Sequence, residues 1–264
     1  MFEGKVVAIT GAKGGIGRAI AEMFTQAGAQ VAISDLECPD ATASELGALA
    51  VKCDVGIESD IRDFIDTTEA ALGPVDIFVA NAGVGFGDPT VAASADDAAW
   101  EASWKINVMQ SVYAARELLP KWVERGGGTF VVVASAAGLL SQIGSASYSA
   151  TKHAAVALAE NIQITHAKDG VNVHAICPQY VKTNMTAHMD VPEDSPLALK
   201  DPGDVAEALR TAMMEGRFLA LSHPVVEKYA RNRTTDRERW LSGMSALQDT
   251  MGNQLGLNAF KGGE

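Results

Sequence analysis

Short, dense apolar runs alternate along the chain with longer stretches of helical spacing. Lys5–Thr10 (Lys-Val-Val-Ala-Ile-Thr) is rich in β-branched residues and has no polar face. Such a run reads as a strand buried on both sides, as in a parallel sheet. Gln30–Ser34, Val51–Val55, Val75–Ala80, Thr129–Ser135, Val171–Cys177 and Phe218–Ser222 repeat the pattern. Between them, Arg18–Ala27, Glu58–Leu72, Asp97–Glu124 and Tyr148–Lys168 have helical character. Gly73-Pro74 stops the second of these and Gly126-Gly127-Gly128 the third. Asp201-Pro202 opens a further helix, with Asp201 as N-cap and Pro202 in the first helical position. Regular alternation predicts an α/β fold. It should be a doubly wound parallel sheet of about seven strands, with helices on both faces and right-handed crossovers. No repeat, linker or low-complexity segment divides residues 1–264, which read as a single domain.

Composition narrows the classes of function. Hydrophobic residues make up 47% of the chain, enough for a substantial core and against disorder. The formal charge of −12 repels nucleic acid and anionic membranes, so neither is an expected partner. Four arginines between Arg231 and Arg239 are interleaved with Asp236 and Glu238, which reads as a solvated helix face. Cys38, Cys53 and Cys177 have no metal-ligand or redox-pair spacing and read as small buried residues in a reducing compartment. No metal site is expected. No basic-then-apolar signal segment opens the chain, and no apolar run reaches the ~18 residues that span a bilayer. The expectation is a soluble, cytoplasmic protein.

The chemistry gathers at the ends of the predicted strands, where ligands of such sheets bind. Gly11-Ala12-Lys13-Gly14-Gly15-Ile16-Gly17 follows the first strand and opens a helix. Backbone N–H groups at a helix N-terminus point at an anion, and glycines let it approach, so this turn reads as a phosphate site. Asp35 ends the second strand, 18 residues after Gly17. That is the distance expected of a carboxylate on the adenosine ribose of NAD, where it would repel the 2′-phosphate of NADP. Lys13, inside the turn, partly offsets that repulsion. Asp54 and Asn81 end the third and fourth strands, and Ser135 the fifth. Asn107 stands inside a predicted helix, a mildly unfavourable place for Asn.

Tyr148 and Lys152 are four apart at the start of a helix and project from one face. A phenol titrates near pH 10, too high for a base at neutral pH. A fixed ammonium one turn away favours the phenolate, and the pair is expected to carry a lowered tyrosine pKa.

Thr10-Gly11-x-x-x-Gly15-x-Gly17, Asp35, Asp54-Val55, Asn81-Ala82-Gly83, Asn107, Ser135 and Tyr148-x-x-x-Lys152 stand in that order. Together they resemble the short-chain dehydrogenase/reductase family over roughly Lys5 to Leu221. The resemblance implies a Rossmann-type fold and an NAD-dependent oxidoreductase acting on CH–OH groups. By the same resemblance, Tyr148 is the general acid/base on the substrate oxygen. Lys152 lowers its pKa and holds the nicotinamide ribose, Ser135 supports the same oxygen, and Asn107 holds a water behind Lys152. Gly11, Gly15, Ile16 and Gly17 surround the pyrophosphate. Asp35 selects NAD, Asp54 and Val55 border the adenine, and Asn81, Ala82 and Gly83 support the sheet and the cofactor. Val181 and Thr183 match cofactor-contacting positions. The sequence departs from the family twice. Pro178-Gln179 stands for the usual Pro-Gly, and Leu219-Ala220-Leu221-Ser222-His223-Pro224 stands for the usual Val-Asp-Gly-Gly.

A substrate loop is expected over about 183–199 and a helical tail over about 224–264. Substrate contacts are expected from Ser135, Gln179, Met185 and Met189, with Phe86, Leu139, Leu140, Ile143, Leu197 and His188 nearby. These apolar and soft side chains suggest a hydrophobic secondary alcohol or its ketone. Two alternatives remain: an NADP-dependent carbonyl reductase on the same site, and a non-catalytic NAD-sensing regulator. The resemblance also implies a homodimer or homotetramer through the Asp97–Glu124 and Tyr148–Lys168 helices, with small alanines allowing close approach.

Overall fold

A computed structural model describes residues 2–88, 90–187 and 198–254, the last four as backbone only. The strands are β1 (Val6–Thr10), β2 (Gln30–Asp35), β3 (Leu49–Lys52), β4 (Ile77–Ala80), β5 (Gly128–Val133), β6 (Val171–Ile176) and β7 (Leu219–Ala220). They form one parallel sheet in the order β3-β2-β1-β4-β5-β6-β7. The chain winds outward from β1 to β3, then returns to β4 on the other side of β1. The β1/β4 boundary is therefore the point where the winding direction switches and a cleft opens.

The helices are α1 (Gly15–Gln26), α2 (Asp40–Leu46), α3 (Glu58–Leu72), α4 (Asp97–Trp104), α5 (Gln110–Arg125), α6 (Ala146–His166), α7 (Pro202–Met214), α8 (Val225–Thr235) and α9 (Arg237–Gln254). Alternate strand residues face opposite layers. Val6, Ala8, Phe78 and Phe130 pack with side chains of α3, α5 and α6. Val7, Ile9, Val79 and Val131 pack with those of α1 and α7. This explains the uninterrupted apolar runs: neither face of the central strands meets water. Trp122 is fully buried and donates its indole N–H to the Val75 carbonyl at 2.8 Å, tying α5 to the start of β4.

Several boundaries differ from the sequence reading. The third strand runs from Leu49 to Lys52, so Asp54 and Val55 fall in the turn beyond it. Its last bond to β2 is Cys53 N–H to the Asp35 carbonyl, and Asp54 Oδ1 then accepts from Gly56 N–H at 2.9 Å, a local turn that ends pairing. The long helix expected over 97–124 is divided by a π-helical segment, Lys105–Met109, that carries Asn107. Helix α6 begins two residues before Tyr148 and passes into a 3₁₀ turn at Ala167–Asp169. β7 is shortened to two residues. The seven-residue α2 was not anticipated, being too short to display a helical period. Cys53 and Cys177 are buried as expected, but Cys38 is exposed.

Candidate active site

The Gly-rich turn between β1 and α1 is braced from behind by side chains of the neighbouring strand end. Thr10 Oγ1 accepts from Asn81 N–H at 3.0 Å and Ala82 N–H at 3.2 Å, and donates to Gln110 Oε1 at 2.9 Å. The Asn81 amide donates to the carbonyls of Thr10 and Gly11, each at 2.8 Å. This closeness requires glycine. A Cβ on Gly17 would stand 2.4 Å from Asn81 Nδ2, and one on Gly11, whose φ is +62°, 2.7 Å from Ala82 Cα. On the open side, Gly14 has nothing within 4 Å of where a Cβ would sit. The N-cap of α1 makes no side-chain bond, and the amides of Gly15, Ile16 and Gly17 meet no acceptor among the described residues. A bare helix N-terminus behind an uncluttered turn suits a pyrophosphate.

The far end of this groove is acidic. Asp35 holds its carboxylate by accepting from Lys13 N–H at 3.0 Å and Leu36 N–H at 2.9 Å. The Lys13 ammonium, expected to offset Asp35, instead pairs with Glu37 at 2.5 Å. The pairing raises the lysine pKa and lowers that of the glutamate. Glu37 escaped the sequence reading; its only signal was a second acid two residues beyond Asp35. Leu36 is 62% exposed beside them. Val55 is buried, and Asp54 is engaged in its own turn.

Ser135, Tyr148 and Lys152 come together beyond the C-terminal end of β5. Ser135 caps the 3₁₀ turn Ala136–Gly138, its Oγ accepting from Ala137 N–H at 3.1 Å. Lys152 is 4% exposed and donates to the Val133 carbonyl at 3.0 Å. Its Nζ lies 5.6 Å from the Tyr148 ring centroid. The expected lowering of the tyrosine pKa is reversed here. Burial pushes the phenol above its ordinary value, and the adjacent Ser135 hydroxyl only partly opposes it. The same burial pulls the Lys152 ammonium down to about 8. Desolvation is the largest influence on both groups, as burial disfavours the charged form of each. Cys177, at the end of β6, is also enclosed and its thiol is pushed up to about 12, so it is an inert neighbour.

Asn107 is turned inward by the π-helical segment and is 2% exposed. Its Oδ1 accepts from Val84 N–H at 2.9 Å, and its Nδ2 donates to the Val84 carbonyl at 2.9 Å and to Thr151 Oγ1 at 3.0 Å. It thus joins the segment after β4 to α6. A Cβ on Gly83 would stand 3.3 Å from both Asn107 Oδ1 and Lys152 Nζ, so the three positions adjoin.

The remaining residues line the other side. The Thr183 side chain comes within 3.2 Å of a Cβ built on Gly15, and Val181 is buried and bridges to Lys200. Tyr148 and Met185 both border Gly85, at 3.4 and 3.8 Å from its built Cβ. Gln179 is half-buried and donates its N–H to His223 Nδ1 at 3.2 Å, so the two departures from the family pattern touch each other. Met189, His188 and Leu197 lie outside the described residues. From the tail, Arg233 donates to the Leu139 carbonyl at 3.0 Å and lies 5.4 Å from the Trp240 ring centroid. Arg233 is therefore a latch between tail and site loop, not part of a solvated face. Nothing in the sequence signalled this pairing across 94 positions.

Comparison with known proteins bears on the family and the fold. The family profile described as short chain dehydrogenase matches residues 5–194. A 3beta-hydroxysteroid dehydrogenase 2 of Eggerthella lenta is 33% identical over 211 residues, 77% of this chain and 81% of that protein. A meso-2,3-butanediol dehydrogenase of Serratia marcescens is 35% identical over 190 residues, 70% of this chain and 74% of that protein. Among solved structures, a short chain dehydrogenase/reductase from Burkholderia phymatum in complex with NAD superposes with a TM-score of 0.76. It is 27% identical, and the match covers 90% of this chain and 95% of that one.

Proposed function

The chain belongs to the short-chain dehydrogenase/reductase family, and from that footing we propose that it is an NAD-dependent oxidoreductase interconverting a hydrophobic secondary alcohol and its ketone. The observation that carries the reading is the gathering of Ser135, Tyr148 and Lys152 beyond β5, at the same edge of the parallel sheet as the bare N-terminus of α1 beyond β1. The dinucleotide would lie along the groove. Its pyrophosphate meets the amides of Gly15, Ile16 and Gly17, its adenosine ribose Asp35, and its nicotinamide end Val181 and Thr183. When bound, NAD supplies the hydride acceptor or donor.

The chain's own residues move the proton and hold the reactants. Tyr148 exchanges a proton with the substrate oxygen, and Ser135 hydrogen-bonds the same oxygen as charge develops there. A phenol held above its ordinary pKa stays protonated at neutral pH and can donate to a carbonyl oxygen, while oxidation, which releases a proton, gains as the pH rises. A water at the point beside Gly83 would bridge Asn107 and Lys152 and carry the proton onward. Met185 and Tyr148 both border Gly85, and Leu139 is held in place by Arg233, which supports an apolar substrate wall. From the tail, Arg233 reaches that wall through the Leu139 carbonyl.

Asp35 and Glu37 together favour NAD over NADP, since a 2′-phosphate would face two carboxylates and a lysine already paired. The groove between α5 and α6, lined by Val112, Leu119, Val123, Leu158 and Ile162, supports a homodimer or a homotetramer built through these helices. A cytoplasmic location, with no nucleic-acid or membrane partner, accords with the −12 charge. Among the described residues no helix is long and apolar enough to cross a membrane, and no cluster could hold a metal.

The test is absorbance at the nicotinamide band, with a panel of secondary alcohols and either NAD⁺ or NADP⁺. Turnover should favour NAD⁺, and Asp35→Ala should narrow the preference by about tenfold, the scale of one charged hydrogen bond. Equal use of both cofactors by the wild type would favour the NADP reading. Tight NAD⁺ binding without turnover on any alcohol would favour a sensor.

A further inference from the structure

Two segments far apart in sequence meet beside the cofactor groove: Pro178–Thr183, after β6, and Ser222–His223, after β7. Backbone partners fix most of the first. The Pro178 carbonyl accepts from Ala136 N–H at 2.7 Å and the Tyr180 carbonyl from Lys200 N–H at 3.0 Å, while Lys182 N–H donates to the Lys200 carbonyl at 2.9 Å. Gln179 N–H instead donates to an imidazole, Nδ1 of His223. An amide nitrogen can only donate, so this Nδ1 is the bare nitrogen and the ring proton belongs on Nε2. Ser222 Oγ lies 3.0 Å from the same Nδ1 and can give it a second donor. The residue is 8% exposed, and Nε2 meets no partner among the described residues. Of the two ring nitrogens, Nδ1 therefore carries the contact to the 178–183 segment.

We propose that His223 is a positioning residue for the oxidoreductase reaction: its bare Nδ1 fixes the Gln179 amide, this sets Val181 and Thr183 against the Gly-rich turn, and protonation of the ring releases them. The proposal rests on the oxidoreductase reading above. Thr183 packs against Gly15, so a shift of this segment is transmitted to the groove. Protonated Nδ1 would set one donor against another and break the bond. The surroundings keep the ring neutral: burial lowers its pKa, and the Lys200 ammonium lowers it further. The Tyr180 main chain and the Asp204 carboxylate, at the start of α7, oppose this. The latch is therefore closed at neutral pH and opens as the pH falls through a value below the ordinary histidine pKa of about 6.5.

Two variants test this. His223→Asn places an amide oxygen near the Nδ1 position and does not titrate; His223→Phe fills the volume and accepts nothing. NADH affinity is read by fluorescence titration, KM for NAD⁺ and kcat by steady-state kinetics, and amide exchange across residues 178–183 by mass spectrometry. At neutral pH His223→Phe should weaken NADH binding about fivefold with kcat little changed, the scale of one hydrogen bond. His223→Asn should stay within about twofold of wild type. At about pH 5.5 the wild type should lose affinity and exchange the 178–183 amides faster than His223→Asn does. Wild-type affinity and exchange in His223→Phe, or a wild-type pH profile in His223→Asn, would overturn the proposal. Failure of the wild type to bind NADH at all would sink the oxidoreductase reading. The exchange data, which need no cofactor, would still decide whether His223 holds the segment.

Discussion

The two walls of the cleft are built by different means. On the wall formed by the ends of β1, β2 and β4, backbone approaches backbone. Glycines at 11 and 17 permit it, and Thr10 and Asn81 hold it with bonds of 2.8 to 3.2 Å. On the wall formed after β5, β6 and β7, side chains hold loops: His223 holds Gln179, Arg233 holds Leu139, and Thr186 accepts from Thr183 N–H at 3.1 Å. The first construction leaves little room for substitution, whereas the second depends on single side chains that reach across the fold.

The largest expected effect lies where the walls meet. Lys152→Met should abolish turnover and yet stabilise the protein measured without added cofactor. Lys152 is buried with its pKa lowered from 10.5 to about 8, so between those values the unfolded chain binds more protons than the folded one. Its contribution to stability is complete above 10.5 and is lost as the pH falls through about 8, leaving a penalty of ~3 kcal/mol at neutral pH. Thermal melts should show wild type gaining on Lys152→Met between pH 8 and 10.5. Parallel stability curves would mean the ammonium is better solvated than its burial implies.

Gly17→Ala attacks the first wall. Its Cβ would press on Asn81 and the Gly11 carbonyl, and overpacking of this kind costs about 1–3 kcal/mol. NADH affinity should fall by up to about a hundredfold, read by titration. An unchanged affinity would show that the brace is dispensable. Arg233→Ala attacks the second wall and should act more gently. Losing its bond to the Leu139 carbonyl should raise the alcohol KM about fivefold and leave NADH affinity unchanged. A loss of NADH affinity instead would mean the walls are coupled.

What was legible in the sequence follows the same division. The strands were readable because both faces are buried, and the Gly-rich turn because only glycine fits against Asn81 and Ala82. Asn107 stood out as misplaced in a helix, and it does interrupt the helix with a π turn. The bonds from His223 to Gln179 and from Arg233 to Leu139 were not legible, since they join residues 44 and 94 apart with no period or motif. The direction of the Tyr148 shift was misread for a related reason. Helical spacing places the lysine on the correct face, but only packing tells how far both groups are removed from water.

The most direct test of the account separates binding from chemistry in a single variant. For Tyr148→Phe, NADH affinity and alcohol turnover should be measured side by side with the wild type. The account predicts NADH affinity within about fivefold of wild type, since the phenol hydroxyl is at most one hydrogen bond to the dinucleotide. It predicts turnover reduced by about 10²–10⁴-fold, the usual contribution of a positioned acid/base. Turnover that survives the loss of the phenol hydroxyl would contradict Tyr148 as the proton-transfer group and the functional reading built on it.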